Sequence, residues 1–325
     1  MFNAFVREAD RLVRIDATAT DASTPAILWA DILHPDAADA AKAAELLGIA
    51  IPTLQEMQEI EPSARLYEDA GAQFMTVPIV TGLDSDAPQL TPVTFIVGAD
   101  SLVTVRHADT APFDQVIARR LRSNGATTAE TLMFDLVEAV VDRVADVLQR
   151  SASHCDAVSR DVFARKSTGG KNGGAARDLD AMLGQIGREG DLLGKLRECL
   201  VGLARLLSYH SARSPAPARD VRSRIKTVQR DVQALTDHAS FLSSKINFLL
   251  DATLGFINLE QNQIIKIFTV AAVAFLPPTL IASNYGMNFD FMPELHWQLG
   301  YPFAVLLMIV SAVMPFIYFR KRGWL

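Results

Sequence analysis

With 325 residues, the chain is long enough for two domains, or for one domain and a membrane anchor. Half of its residues are apolar, and the two longest apolar runs lie near its C-terminal end. The formal net charge of −6 argues against a nucleic-acid partner, because nucleic-acid binding normally needs a basic face.

Residues 1–125 show the pattern of a mixed α/β domain. Short β-favouring runs are bounded by glycine, proline and aspartate turn signals, and helical segments lie between them. The predicted strands are Ala26–Asp31, Phe74–Val80, Val93–Val97 and Leu102–Val105, and the predicted helices are Asp36–Leu47 and Thr53–Glu59. Strands interleaved with helices predict a domain built on a largely buried sheet.

Residues 126–262 are predicted to form long helices. A glycine-rich turn at Ser167–Ala175 separates a first helical pattern from an antiparallel one at about Arg177–His210. A third helix begins near Arg219 and, continued without a break to Ser283, is about 95 Å long. No compact domain needs such a helix, whereas a stalk that leaves a membrane does.

The second of these helices contains four glycines, each of which lowers helix propensity by about 1 kcal/mol against alanine. They are Gly184, Gly187, Gly190 and Gly194. Close packing against a neighbouring helix is the hypothesis that would account for them.

Two apolar segments near the C-terminus have the length of membrane-spanning helices, about 20 residues for the hydrocarbon core. The predicted spans are residues 263–284, whose one charge is Lys266, and residues 301–319, which carry none. The loop between them, residues 285–300, contains no lysine or arginine, whereas the tail, residues 320–325, is basic. By the positive-inside rule, the loop is external and both termini are cytoplasmic.

The first span carries small or polar residues at alternating steps of four and three, so one helix face presents all of them. With matching positions upstream they form a seam of ten residues: Asp251, Gly255, Asn258, Asn262, Ile265, Thr269, Ala272, Leu276, Thr279 and Ser283. Pro277 and Pro278 interrupt the helix and free carbonyls that need another partner. A hydrophilic seam on an apolar spanning helix is expected of a pore wall. Two spans cannot enclose a pore, so the seam must face copies of itself around a symmetry axis.

The triplet Gly286-Met287-Asn288 is followed by MPEL and preceded by FINLEQNQIIKIF and FLPPTLIASN, and the chain ends in KRGWL. Together these segments closely resemble the CorA magnesium transporter family, whose signature is Gly-Met-Asn. The resemblance implies an α+β membrane protein, a homopentamer of the bacterial inner membrane. Each subunit would have a cytoplasmic α/β domain, antiparallel long helices, and a stalk helix that continues into the first of two C-terminal transmembrane helices. It also implies passive uptake of Mg²⁺, and of Co²⁺ or Ni²⁺, through a periplasmic Gly-Met-Asn loop.

The resemblance assigns roles to individual residues. Gly286, Met287 and Asn288 form the selectivity filter, where neutral amide oxygens bond the waters that Mg²⁺ keeps. A hydrophobic gate maps onto Ile265 and Phe268 and blocks ions by dewetting. The lining residues are Asp251, Asn258, Asn262, Thr269, Thr279, Ser283 and Asn284, and the outer loop carries the acidic Asp290 and Glu294.

Family members also sense cytosolic Mg²⁺ at acidic sites between neighbouring subunits. The candidates in this chain are Glu56, Glu59 and Asp231, but Thr227 stands where a stalk acid is expected. The resemblance thus implies Mg²⁺ as transported ion and regulatory ligand, with no organic cofactor. The implied partners are other copies of the chain, the lipid bilayer and divalent cations.

Three other functions fit this pattern less well. ZntB-like zinc transporters share the architecture but usually vary the triplet, so an intact Gly286-Met287-Asn288 favours magnesium. A non-conducting membrane-anchored helical scaffold or sensor gives no reason for a polar seam across the bilayer. An enzyme is not expected, because the six histidines do not pair at metal spacing and GGKNGG lacks the GK[ST] of a phosphate loop.

Overall fold

A computed structural model of the protein describes residues 1–8, 11–15, 26–83, 85, 87–123, 127–168, 175–213, 219–287 and 297–324. The chain divides into two units, Met1–Leu250 (unit 1) and Asp251–Leu325 (unit 2). Unit 1 contains the sheet, and unit 2 contains the apolar helical segments near the C-terminus.

Unit 1 is built on a seven-stranded sheet with the strand order β2-β1-β3-β7-β6-β5-β4. The strands are β1 (Phe2–Glu8), β2 (Arg11–Ile15), β3 (Ile27–Leu33), β4 (Leu66–Asp69), β5 (Ala72–Thr81), β6 (Gln89–Val97) and β7 (Leu102–Arg106). β3 and β7 pair in parallel, and the other neighbouring strands pair antiparallel. Strands β3, β5, β6 and β7 confirm the four predicted strands, whereas β1, β2 and β4 have no predicted counterpart.

Eight helices are present in the described residues. They are α1 (Ala37–Leu47), α2 (Leu54–Gln58), α3 (Pro62–Arg65), α4 (Ala111–Arg122), α5 (Ala129–Thr168), α6 (Ala175–Arg213), α7 (Arg219–Tyr285) and α8 (Gly300–Lys321). Helices α1 and α2 lie where they were predicted, and each begins with a capping box, Asp36 with Asp39 and Thr53 with Glu56. Helices α5, α6 and α7 confirm the three predicted long helices, and α3 and α4 are additional.

A buried ion pair joins the two parallel strands. Arg106 Nη2 lies 2.9 Å from Asp31 Oδ2, and the two side chains are 3% and 0% exposed. Thr104 Oγ1 donates to Asp31 Oδ1 at 2.8 Å and accepts from Trp29 Nε1 at 3.0 Å. Removing one partner of such a pair costs about 3–5 kcal/mol, because the other charge stays buried without compensation. The network therefore fixes β3 against β7.

Within unit 1, helix α7 buries one apolar stripe against its neighbours. The buried residues of this stripe are Ile225, Val228, Val232, Ala239, Leu242, Ile246 and Leu249. At its edge, Arg224 Nη2 donates to Asp135 Oδ1 at 2.6 Å and Arg224 Nε donates to Glu138 Oε1 at 2.5 Å. These ion pairs hold the start of α7 to α5.

Helix α6 approaches the sheet closely at Gly202. A Cβ atom at this position would lie 2.7 Å from Cδ of Pro78 in β5, closer than real Cβ contacts come. At Gly187 and Gly194, by contrast, an added Cβ would meet no described atom within 4 Å apart from the nearby backbone of its own helix, and at Gly190 it would meet Cγ2 of Ile246 in α7 at an ordinary 3.5 Å. Within the described chain, none of these three positions needs a glycine to allow close helix packing.

Unit 2 contains the C-terminal part of α7 together with α8, and both helices are long and apolar enough to cross a membrane. Helix α7 remains helical through Pro277 and Pro278. Val270 on α7 and Ala304 on α8 are the buried apolar residues among those described in this unit. The architecture confirms the predicted fold class: an α/β domain, long helices and two apolar C-terminal helices.

Candidate functional site

The predicted seam lies on an exposed face of α7. Nine of its ten residues are exposed in this chain, and Thr269 is half-buried. Asn284, the other predicted lining residue, is exposed as well. On the other side of the helix, Val270 is buried and Ala274 and Ile281 are half-buried. The described part of unit 2 therefore covers the apolar side of α7 and leaves its polar seam open.

The predicted gate lies where α7 is uncovered on every side. All residues from Gln261 to Phe268 are exposed. Four of them are large and apolar: Ile264 is 48% exposed, Ile265 61%, Ile267 57% and Phe268 71%. Burial of apolar surface is worth about 25 cal/mol per Å², so exposure around the whole helix is unfavourable in water. This stretch therefore needs lipid or neighbouring copies in addition to the described part of the chain.

Two threonines of the seam present oxygen atoms that accept hydrogen bonds. Thr269 Oγ1 donates to the Ile265 carbonyl at 2.7 Å. Thr279 Oγ1 donates to the Phe275 carbonyl, also at 2.7 Å. A hydroxyl that donates its proton into the helix keeps its lone pairs for an outside donor. The seam therefore offers acceptors that suit the water molecules around a hydrated cation.

The proline pair frees two other acceptors in the same span. Pro277 and Pro278 have no N–H, so the carbonyls of Val273 and Ala274 lose the hydrogen bond that a helix normally supplies from four residues further on. Thr279 does not replace these bonds, because its hydroxyl is used by Phe275. In a membrane, such carbonyls need a neighbouring helix or water.

The signature triplet starts where α7 ends, at Tyr285. The N–H of Gly286 donates to the Ala282 carbonyl at 2.9 Å, and the N–H of Met287 donates to the Asn284 carbonyl at 3.4 Å. Both bonds satisfy carbonyls of the last helical turn. The remaining predicted residues of this loop, which lie outside the described residues, are Asn288, Asp290 and Glu294. The filter and the acidic outer loop therefore stay predictions.

The three predicted regulatory acids lie on two elements of unit 1. Glu56 is on α2 and Glu59 follows it, whereas Asp231 is on α7. Among the described residues of one chain, no group of three or more His, Cys, Asp and Glu is arranged to hold a metal ion. A site that forms between neighbouring subunits stays a prediction.

Hydrogen bonds and burial shift the pKa values of two acids in unit 1. Oε2 of Glu56 accepts the Thr53 N–H at 2.7 Å and the Thr53 hydroxyl at 2.9 Å, and these bonds lower the pKa of Glu56. On α5, burial raises the pKa of Asp142, and the neighbouring carboxylates of Glu138, Asp146 and Asp231 contribute in that order. Asp142 is not among the predicted acids, and it lies four residues after Glu138 on one face of α5, where like charges repel each other.

The chain is similar in sequence to proteins of a known family. Residues 25–321 match the family model described as CorA-like Mg²⁺ transporter protein. The chain belongs to the CorA family. A magnesium transport protein CorA from Haemophilus influenzae is 35% identical over 327 residues, which cover 100% of both chains.

Solved structures agree with membership of the CorA family. The CorA magnesium transporter from Methanocaldococcus jannaschii aligns with a TM-score of 0.78 and 18% identity, covering 100% of this chain and 99% of that one. The ZntB cytoplasmic domain from Vibrio parahaemolyticus aligns with a TM-score of 0.53 and 8% identity, covering 79% of this chain and 97% of that one. At these identities both likenesses concern the fold alone. The family assignment confirms the resemblance inferred from the Gly-Met-Asn triplet and its surroundings.

Proposed function

We propose that this protein carries Mg²⁺ passively into the cytosol through a pore formed by several copies of α7 in the inner membrane. The observation that carries the proposal is the exposed polar seam on a helix long and apolar enough to span a bilayer. Family membership and the full-length likeness to a magnesium transport protein support the choice of ion. Transport of Co²⁺ or Ni²⁺ by the same route belongs to this proposal.

The proposed arrangement is a homopentamer with both termini in the cytoplasm. Residues 1–262 lie in the cytosol, residues 263–284 and 301–319 cross the membrane, residues 285–300 form the periplasmic loop and residues 320–325 the basic tail. Lysine and arginine flank the cytoplasmic ends of the spans and are missing from the loop, as the positive-inside rule requires. The stretch without cover from Gln261 to Phe268 supports association, because neighbouring copies would bury it.

Selection in the proposed pore acts on the hydrated ion. Mg²⁺ gives up its waters reluctantly, so neutral oxygen acceptors that bond those waters suit it better than a tight carboxylate cage. The Gly286-Met287-Asn288 loop would provide a ring of amide oxygens at the outer mouth. Deeper in the pore, the hydroxyl oxygens of Thr269 and Thr279 repeat this role, since their protons are already donated to the backbone. Asp251 places negative charge at the inner mouth.

The proposed gate consists of Ile265 and Phe268. Their exposed apolar side chains, repeated around a symmetry axis, would form a ring that excludes water and blocks ions. Closure at high cytosolic Mg²⁺ would be set by acids between subunits, with Glu56, Glu59 and Asp231 as the candidates.

Zinc transport is the second candidate, and the ZntB likeness supports it at the level of the fold. The intact triplet and the whole-chain likeness to CorA proteins favour magnesium. A non-conducting scaffold is less favoured, because it gives no role to polar oxygens along a spanning helix.

The test is ion flux into liposomes that contain the purified protein, measured with Mg²⁺ and with Zn²⁺. We expect Mg²⁺ flux in the wild type and a loss of about tenfold or more in Asn288→Ala, since each copy loses an acceptor at the filter. Ser311→Ala, which removes a hydroxyl bonded within α8 to Met308, is the matched control and should conduct as the wild type does.

Undiminished Mg²⁺ flux in Asn288→Ala would contradict the filter assignment. Flux of Zn²⁺ but not of Mg²⁺ would support the ZntB-like alternative, and no flux of either ion from a folded wild type would support the scaffold.

A further inference from the structure

Helix α8 ends in a chain reversal that returns Trp324 to its own helix. Gly323 has φ +71°, in the left-handed region that glycine adopts without strain. Its N–H donates to the Arg320 carbonyl at 3.2 Å, and the N–H of Trp324 donates to the Phe319 carbonyl at 3.1 Å. The ring of Trp324 also stacks on Phe319, with 5.1 Å between ring centroids. These bonds and this contact define a Schellman motif.

The same indole ring contacts α7. Nζ of Lys266 lies 5.9 Å from the centroid of the Trp324 ring, within the range of a cation–π contact. In sequence, Lys266 stands between the gate candidates Ile265 and Phe268. The reversal therefore joins the end of α8 to the gate segment of α7.

This contact falls on a stretch of α7 with little other cover. Every residue from Gln261 to Phe268 is exposed in the described chain. Within the described part of one copy, this stretch of α7 has few contacts that resist rotation about the helix axis, and a side chain held by a ring on a second helix adds such a contact. The rotation decides which residues face the symmetry axis.

We propose that Trp324 is a positioning residue for the gate, which through Lys266 holds α7 in the rotation that points Ile265 and Phe268 at the pore. The inference rests on the proposed function, since it takes these two residues as the gate. The competing role for Trp324 is that of an interfacial anchor, because tryptophan is enriched at membrane surfaces. An anchor needs no lysine on α7, and this difference decides the test.

The test is a double-mutant cycle of Trp324→Leu and Lys266→Met, read as residual Mg²⁺ flux at high internal Mg²⁺. We expect each single variant to raise residual flux about fivefold, the factor that corresponds to one cation–π contact. The double variant should leak no more than either single one, because both remove the same contact. Lys266→Arg, which keeps the cation, should restore tight closure.

Tyr318→Leu is the matched control. Tyr318 is an aromatic residue at the same end of α8 that contacts Phe319 and Arg322. We expect its variant to close as the wild type does. Independent, multiplying effects of the two main variants, or equal leakage from Tyr318→Leu, would overturn the proposal in favour of the anchor.

The same cycle read as thermal denaturation of the full-length protein in detergent separates this inference from the proposed function. Each single variant should lower the midpoint, and the double variant should lower it no further. If the effects on the midpoint are coupled but the protein transports no Mg²⁺, the proposed function is contradicted and the contact between Trp324 and Lys266 is supported. If the two variants lower the midpoint independently in a protein that does transport Mg²⁺, only the positioning role is contradicted.

Discussion

At the scale of single residues, Gly202 and Gly194 are two glycines of one helix with opposite surroundings. Gly202→Ala should lower the stability of the protein by about 1–3 kcal/mol, because the new Cβ would press on the ring of Pro78. Gly194→Ala should raise it by up to about 1 kcal/mol, because the position is open and alanine favours the helix. Thermal denaturation of the two full-length variants beside the wild type measures both effects.

Equal changes in stability for these two substitutions would show that helix propensity alone determines the change at both positions. The pair therefore isolates the steric contribution of the approach between α6 and β5.

The sequence predicted the identity of the seam residues but not how their polar atoms are used. Spacing alone places Thr269 and Thr279 on one face, because helical periodicity is fixed by backbone geometry. That both hydroxyls donate to the backbone depends on rotamers, which spacing does not determine. Glu56 shows the opposite case. Its capping box with Thr53 is visible in the sequence as Thr-x-x-Glu, so this local role was predictable, whereas its role as a metal ligand stays a prediction.

At the scale of elements, the proposed gate can be tested on α7 itself, because the opposite side of the same helical turn provides a control substitution. Phe268→Ala and Ile265→Ala should each raise Mg²⁺ leakage at high internal Mg²⁺, about tenfold or more, because a smaller ring admits water. Ile267→Ala removes a similar exposed side chain from the other side of the same turn and should leave closure unchanged. Flux into liposomes at low and high internal Mg²⁺ measures the effect. Leakage that appears only in Ile267→Ala would move the constriction to another face.

The three long helices were predicted from their periodic patterns, whereas helices α3 and α4 and strands β1, β2 and β4 were not predicted. Helices α5, α6 and α7 carry many turns of the same pattern, so the helical signal accumulates. Helix α4 buries only Pro112, Phe113 and Val116, which is too few positions for a clear period. Strands β1 and β2 pair as a hairpin, but the two residues between them, Ala9 and Asp10, are no typical turn pair. The basic charge of the tail was predicted from the sequence. Its chain reversal was not, because it depends on the backbone φ of Gly323.

At the scale of the whole molecule, the proposed pore requires several copies of the seam around a common axis. In a homopentamer, Ser283 of each copy would face Ser283 of its neighbours, so Ser283→Cys should cross-link copies through a short thiol reagent. The native cysteines, Cys155 and Cys199, are buried and give little background. Ile309→Cys, an exposed position on α8, is the control and should cross-link much less. Gel electrophoresis and native mass measurement of the detergent-solubilised protein report the result.

A dimeric or monomeric mass, or equal cross-linking at both positions, would contradict the pentameric pore. The number of copies was beyond prediction from spacing, because a seam shows that a helix needs a partner and not how many surround the axis.

The indole of Trp29, which donates a hydrogen bond to Thr104 in the core of the sheet, is an intrinsic fluorescence probe. The chain has three tryptophans. Trp29 is fully buried in unit 1, whereas Trp297 and Trp324 are 53% and 42% exposed at the two ends of α8. Emission from Trp29 is expected at shorter wavelength, so its loss during unfolding reports on the sheet. The two other indoles respond to quenchers in the lipid or in the buffer, and thus follow the membrane part without an attached label.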